Sequence, residues 1–300
     1  MNLLFISDTV TTYNTWPIYT PYMRVRNLPA SVYDLYCSEL FQSRGYNVTL
    51  WYMPNGLSYL DKLPQLKNLT KVKCIFHSGY EPFNNIDGIF TNVINSYNIL
   101  GDLSSFWSPP CVPIYPYIND KDIDVLFWGK NTEDYPFRQF AYNTLSTKIV
   151  EQLSSTHKSL LNYKINLNGK YYNYSVLLPD NEFFYSSELY NLISRSKICC
   201  TGSHVTRVAS GKFFENATCG SISLTDKFND IEVLGFEHGK NIWFTDTNNF
   251  LTDLEYLLGN KDVIISIIEN AKELIKKRHS LYIRTKELYK YLCSIVGEAV

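Results

Sequence analysis

The chain has 300 residues, and at ~150 residues per domain that length fits two domains or one large one, enough to bury a core without disulfides or metals as staples. Apolar residues make up 45% and charged residues 19%, which excludes a disordered chain. The net charge of −1, from 28 basic and 29 acidic side chains, argues against attachment to nucleic acid or membrane through bulk charge, and no apolar run reaches the ~20 residues that span a bilayer.

Met1 to Asp8 has no basic segment and too short an apolar run for a signal peptide. The seven cysteines are odd in number and form no CxxC pair, so they read as reduced thiols in a cytoplasmic setting. Leu3 to Ile6 is a short apolar run ending in Ser7-Asp8, the pattern of a buried strand opening an α/β domain. Thr9 to Pro29 is polar, aromatic and punctuated by proline, hence a loop. Val32, Leu35, Tyr36, Leu40 and Phe41 have helical spacing, stopped by Gly45. Tyr46 to Trp51 is a second strand, and the strand–helix–strand unit favours a parallel sheet. Val72 to Phe76, Gly88 to Asn92 and Val112 to Tyr115 are further strands. Pro109, Pro110, Pro113 and Pro116 then cluster before an Asn119-Asp120-Lys121 turn, which reads as a linker.

A second α/β pattern follows. Asp124 to Gly129 is a strand ending at a glycine, and the spacing predicts a helix from Pro136 to Leu153. Strands are expected at Tyr174–Leu178, Lys197–Thr201, Ser221–Leu224 and Ile242–Phe244. Helices are expected at Ser187–Ser194, Gly211–Thr218, Thr247–Leu258, Asp262–Arg278 and Ser280–Val296. The implied fold is α/β, with two Rossmann-like domains facing across a cleft that takes the ligand at the carboxyl ends of the strands. The division reads as residues 1–118, 119–279 and a closing helix, 280–300, that crosses back to the first domain.

Ser196 to Asp226 carries the chemistry. A strand leads into a loop, Gly202 to Ser210, and then into the start of the Gly211 helix. Loop amides and a helix N-terminus favour anions, and Arg207 and Lys212 add positive charge there. Glu215 follows Lys212 by three residues on one helix face, where a carboxylate can accept from two neighbouring hydroxyls, as on a ribose. The plainer reading is a surface Lys–Glu pair on an amphipathic helix. Asp122-Ile123-Asp124 matches a DxD string but precedes its strand, so it is not read as a metal site. No His/Cys cluster has zinc spacing. Cys199-Cys200 falls inside a strand expected to be buried and reads as core.

Ser194 to Cys200, Lys212-Phe-Phe-Glu-Asn-Ala-Thr-Cys-Gly220 and Leu224-Thr-Asp226 together resemble the C-terminal domain of group 1 glycosyltransferases of the GT-B type. The resemblance is to the branch similar to the spore maturation protein CgeB. Asp124 to Gly129 with Arg138 resembles the opening strand, glycine turn and helix arginine of that domain. Phe236 to Gly239 with Ile242 to Phe244, and the closing Arg278 to Arg284, extend the resemblance over roughly Ile123 to Leu288. It departs from the pattern at Ser280-Leu281, and at Arg207, where many relatives carry a glutamate.

The resemblance implies a nucleotide-diphosphate sugar as co-substrate, with no obligatory cofactor or metal. Glu215 would bind the ribose, Lys212 and Arg207 the diphosphate, and Gly129 would let the backbone approach the donor. Arg138 joins the donor set, and His204, in the Gly202–Ser210 loop, is a candidate for contact with donor phosphate or sugar, or a solvent-facing side chain. In this fold class the acceptor sits on the N-terminal domain. Asp8, after the first strand, is a candidate base or a cap of the following loop. His77, after the third, is a second candidate base or a structural histidine. Arg24 and Arg26 are candidates for contact with the acceptor or the donor phosphate, or a solvated pair. The acceptor class stays open among glycan, protein, lipid and modified DNA base. Two other functions fit the same fold: a binding or assembly protein without turnover, and a nucleotide-sugar epimerase.

Overall fold

The computed structural model describes residues 2–7, 47–52, 72–77, 88–91, 105–107, 114–115, 120–155, 157–177, 187–207 and 209–296. The chain divides into two compact units, Met1–Pro109 with Leu281–Val300, and Pro110–Ser280.

In the first unit, β1 (Asn2–Ser7), β2 (Asn47–Tyr52), β3 (Val72–His77), β4 (Gly88–Thr91) and β5 (Ser105–Trp107) form one sheet in the order β2-β1-β3-β4-β5. All four pairings are parallel, with Phe5 opposite both Leu50 and Cys74. Parallel neighbours need long crossovers, which the spacing of these strands along the chain provides. β5 replaces the strand expected at Val112–Tyr115; Ile114 and Tyr115 have no regular structure. The helix expected at Val32–Phe41 lies outside the described residues. The last helix, α7 (Leu281–Val296), belongs to this unit.

The second unit is built on a seven-stranded sheet in the order β12-β11-β10-β6-β9-β8-β7. Its strands are β6 (Ile123–Trp128), β7 (Ile149–Leu153), β8 (Leu160–Leu167), β9 (Lys170–Leu177), β10 (Ser196–Cys200), β11 (Ile222–Thr225) and β12 (Trp243–Phe244). The helices are α1 (Pro136–Ser146), α2 (Ser187–Ser194), α3 (Gly211–Thr218), the short α4 (Ile231–Leu234), α5 (Phe250–Gly259) and α6 (Lys261–Leu274). β6 and β9 to β12 pair in parallel, whereas β7, β8 and β9 form an antiparallel meander at one side.

That meander corrects the sequence reading, which ran the first helix on to Leu153 and had no β8. α1 stops at Ser146 because Ser146 Oγ donates to the Tyr142 carbonyl and Thr147 Oγ1 to that of Thr144, each at 2.8 Å. Such side-chain bonds compete with helix continuation, and the β-branched Ile149-Val150 then favours a strand. Asn168 and Gly169 turn the chain between β8 and β9 with φ of 50° and 83°. An Asn-Gly pair at positive φ is a strong short-range hairpin signal.

The core packs α1, α5 and α6 on the sheet, through Phe137, Leu145, Val125, Phe127, Tyr174, Ile198, Leu224, Phe250 and Ile267. Cys199 and Cys200 are fully buried, free thiols. Burial pushes Cys199 up to about 12, so it stays a protonated core side chain. At the other end of the strands, Asp122 pairs with Arg195, and Asp124 pairs with Lys197 at 2.5 Å while accepting from the Asn173 amide at 2.8 Å. These aspartates therefore tie β6 to its two neighbours.

α6 ends in a π turn, Ile275–His279, where a continuous helix to Arg278 was expected. Arg278 donates to the Val233 carbonyl at 2.6 Å and His279 Nε2 to that of Leu234 at 2.7 Å. The π turn thus serves the open carbonyls at the end of α4.

Candidate functional site

In an open parallel sheet, ligands bind beyond the carboxyl ends of the strands, where the strand order reverses. In the second unit this reversal lies between β6 and β10. From β6 the chain goes on to fill the β9-β8-β7 side, then returns to β10 and continues outward through β11 and β12. Gly129 directly follows β6, and Gly202 comes two residues after β10.

Arg138, in the first turn of α1, joins the two loops. It is 1% exposed, Nη1 donates to the Lys130 carbonyl and Nη2 to the Gly202 carbonyl, both at 3.2 Å, and the guanidinium lies 3.8 Å from the centre of the Tyr135 ring. Its Nε is buried with no hydrogen-bond partner. Burial lowers Arg138 to about 10, opposed by Tyr135 and Asp226. A Cβ at Gly202 would stand 2.9 Å from the Arg138 amide nitrogen, so a glycine there permits the close approach of α1.

Lys212, at the start of α3, reaches the same place. Its ammonium lies 3.2 Å from the centre of the Trp128 ring. Gly129 has φ of +107°, and a Cβ there would meet Lys212 Cε and Nζ at 2.7 Å and Arg138 Nη1 at 3.2 Å. Two cationic side chains therefore converge on one glycine at the reversal point. Burial pulls the Lys212 ammonium well below the usual lysine range; Arg138 adds to this and Glu215 opposes it. Ser210 Oγ caps α3 by accepting from the Lys212 amide at 3.4 Å, so the N-terminus of this helix starts beside Lys212.

Glu215, on the next turn, is 3% exposed and accepts from the Tyr190 hydroxyl at 3.4 Å. Burial raises its carboxyl, while Lys212 and Tyr190 pull it down. The Trp128 indole N–H donates to Asn216 Oδ1 at 3.1 Å, and Asn216 donates to Ser223 Oγ at 2.9 Å, which fixes the ring under Lys212.

Gly129, Arg138, Lys212 and Glu215 are thus brought into one neighbourhood. Arg207 and His204 are placed elsewhere. Arg207, at φ of 57°, pairs with Asp226 at 2.6 Å and donates to the Lys227 carbonyl at 3.1 Å. Asp226 also accepts from the Ser203 amide and hydroxyl, each at 2.8 Å. Arg207, His204 and Asp226 line a cavity of about 860 Å³ beyond β10, β11 and β12. In the first unit, the strand order reverses between β1 and β3, and His77 is the last residue of β3 rather than the residue after it. Asp8, Arg24 and Arg26 lie outside the described residues.

Trp128, Tyr190 and Asp226 were not singled out as site residues. Trp128 could have been, since it precedes the glycine turn of β6. Tyr190 carries no local signal, because its contact with Glu215 depends on α2 packing beside α3.

Solved structures over nearly the whole chain share this architecture. They include sucrose-phosphate synthase from Thermosynechococcus elongatus, with 8% identity, 99% of each chain covered and a TM-score of 0.62. Anabaena HepE in complex with UDP and glucose has 11% identity, with 98% of this chain and 100% of that chain covered and a TM-score of 0.59. A glycosyltransferase from Rickettsia africae has 9% identity, 99% coverage of each chain and a TM-score of 0.56. At these identities the likeness shows the fold, which is that of the GT-B glycosyltransferases. No curated protein matches the sequence.

The family follows from the sequence itself. A family model described as glycosyl transferase-like matches residues 138–290, just over half of the chain, and the chain belongs to that family. Fold and family together support sugar transfer as the general class of activity.

Proposed function

We propose that the chain transfers a sugar from a nucleotide-diphosphate sugar held at the β6–β10 reversal point of the second unit. The supporting observation is the convergence of Arg138 and Lys212 on Gly129, beside the first amides of α3. A diphosphate placed there meets two cations and a helix N-terminus, and the same groups stabilise the charge that grows on it as the glycosidic bond breaks. Positive charge for this task comes from the chain, so the reading requires no metal. Glu215 accepts from the ribose hydroxyls, and Tyr190 orients its carboxylate. Gly129, without a side chain, lets Lys212 and Arg138 converge on the loop backbone where it approaches the donor. The donor domain of this reading is 119–279, in the CgeB-like branch of the family.

Acceptor activation falls to the first unit, through Asp8 or His77 acting as base, with Arg24 and Arg26 at the acceptor. Arg207 takes a supporting part: paired with Asp226, it holds the 203–207 loop.

UDP-glucose is the first donor to test, because Anabaena HepE has been solved with UDP and glucose and with UDP-glucose. Titration calorimetry of the full chain with UDP-glucose should show binding, and Lys212→Gln should weaken it by at least about tenfold, the worth of a charge-assisted hydrogen bond. The affinity should also fall as pH rises. The unbound Lys212 has a lowered pKa, the diphosphate raises it again, and binding above the unbound pKa therefore takes up a proton. Calorimetry in buffers of different ionisation heat reads that proton directly, and Lys212→Arg should abolish most of the uptake. Equal affinity in Lys212→Gln and wild type would refute the diphosphate assignment.

A further inference from the structure

Glu215 is held by a chain of contacts that starts outside the helices of the site. Its partner Tyr190, on α2, is fully buried and donates its hydroxyl to Glu215 Oε1 at 3.4 Å. That is long for a hydroxyl bonded to a carboxylate, which is usually about 2.5–2.7 Å. A small displacement of the Tyr190 ring therefore decides whether Glu215 is held or released.

Tyr115 packs its ring against Tyr190, with centroids 5.6 Å apart and an interplanar angle of 38°. Aromatic pairs at this separation attract beyond the area they bury. Tyr115 belongs to no helix or strand, and the proline after it disfavours a helical backbone there. Its amide donates to Thr218 Oγ1 at 3.0 Å. Thr218 is buried and follows Glu215 by three residues on α3, which puts both on one side of that helix. Tyr115 is thus fastened by its backbone to the helix that carries Glu215, and by its ring to the tyrosine that holds Glu215. Tyr115 itself is only half-buried, so its replacement leaves the core intact.

We propose that Tyr115 is a positioning residue that acts through Tyr190 to keep Glu215 where a ribose is preferred over a 2′-deoxyribose. The inference rests on the ribose assignment of Glu215 made above. The test is titration calorimetry of the full chain with UDP and with 2′-deoxy-UDP, which differ by one hydroxyl. The readout is the ratio of the two affinities, which a general loosening of the fold leaves unmoved. Wild type should favour UDP by at least about tenfold, the worth of a hydrogen bond to a charged group. Tyr115→Leu should cut that ratio by at least about threefold, through weaker UDP and unchanged 2′-deoxy-UDP binding. Tyr115→Phe keeps the ring and the backbone bond and should retain the wild-type ratio. In a Tyr190→Phe chain, which lacks the hydroxyl, Tyr115→Leu should change the ratio no further, because both substitutions act on one contact.

Glu215→Gln separates this inference from the assignment beneath it, and should lower the ratio more than Tyr115→Leu does. If Glu215→Gln lowers the ratio while Tyr115→Leu keeps the wild-type value, the inference is overturned and the ribose assignment stands. Equal weakening of both nucleotides by Tyr115→Leu also overturns it, since the ring is then packing alone. So does a further fall in the ratio when Tyr115→Leu is added to Tyr190→Phe. A wild type that binds both nucleotides alike, or neither, refutes the ribose assignment and this inference with it, as does a Glu215→Gln chain with the wild-type ratio.

Discussion

Arg138→Met is expected to lower donor affinity by about 100-fold while leaving thermal stability nearly unchanged. The two effects separate because Arg138 is a buried cation with carbonyls and an aromatic ring around it, and no carboxylate bonded to it. Burial lowers it to about 10, which corresponds to roughly 3 kcal/mol against the charged form in the folded chain. Its two hydrogen bonds to the Lys130 and Gly202 carbonyls return a similar amount, at ~1–3 kcal/mol each for bonds to a charged group. Methionine removes the penalty and the bonds together, so the two changes largely offset each other. A bound diphosphate, by contrast, loses one of its two cations. Arg138→Lys should recover part of the affinity, since a lysine brings charge but cannot fork between two carbonyls. Calorimetry with UDP-glucose and a thermal melt decide the matter. A variant that melts far lower yet binds normally would make Arg138 a structural clamp and nothing more.

Gly129→Ala should be damaging in both respects. A φ of +107° is strained for any residue with a Cβ, at about 1–3 kcal/mol. The new methyl would also stand 2.7 Å from the end of Lys212, whose flexible side chain is the part that yields. Lys212 would leave the Trp128 face, forfeiting a cation–π contact of about 0.5–2 kcal/mol. The combined loss is about 1.5–5 kcal/mol of stability and at least tenfold in donor affinity. Gly169→Ala is the matched control. Gly169 has φ of +83° but nothing within 4 Å of its added Cβ, so it reports backbone strain alone. If Gly129→Ala and Gly169→Ala bind UDP-glucose equally well, the crowding of Lys212 has no bearing on the site.

Much of the second unit was legible because its elements are locally encoded. Asp124 to Trp128 is an apolar run closed by a glycine, and Ser210-Gly211 opens a helix whose buried face runs from Phe213 to Thr218. Lys212 and Glu215 could be placed together because three residues make nearly one helical turn. The meander was misread for the opposite reason. Ile149 to Leu153 continues the apolar spacing of α1, and only the hydroxyl bonds of Ser146 and Thr147 end the helix. Asn168-Gly169 announced the β8–β9 turn and was overlooked.

Partners far apart in sequence lay beyond local reading. Arg207 was expected beside Lys212 because both flank one loop, but Asp226, at the end of the next strand, draws it to the other side. Arg138 was matched by resemblance alone; its hold on Gly202 depends on β6 and β10 being neighbours.

The Arg207–Asp226 pair has an electrostatic consequence. It offsets the Arg207 charge on the cavity side, while Arg138 and Lys212 bring two cations to Gly129 on the same sheet edge. Salt would screen a dianion's approach to that pair of cations. A diphosphate held there as proposed should therefore be bound more weakly in concentrated salt.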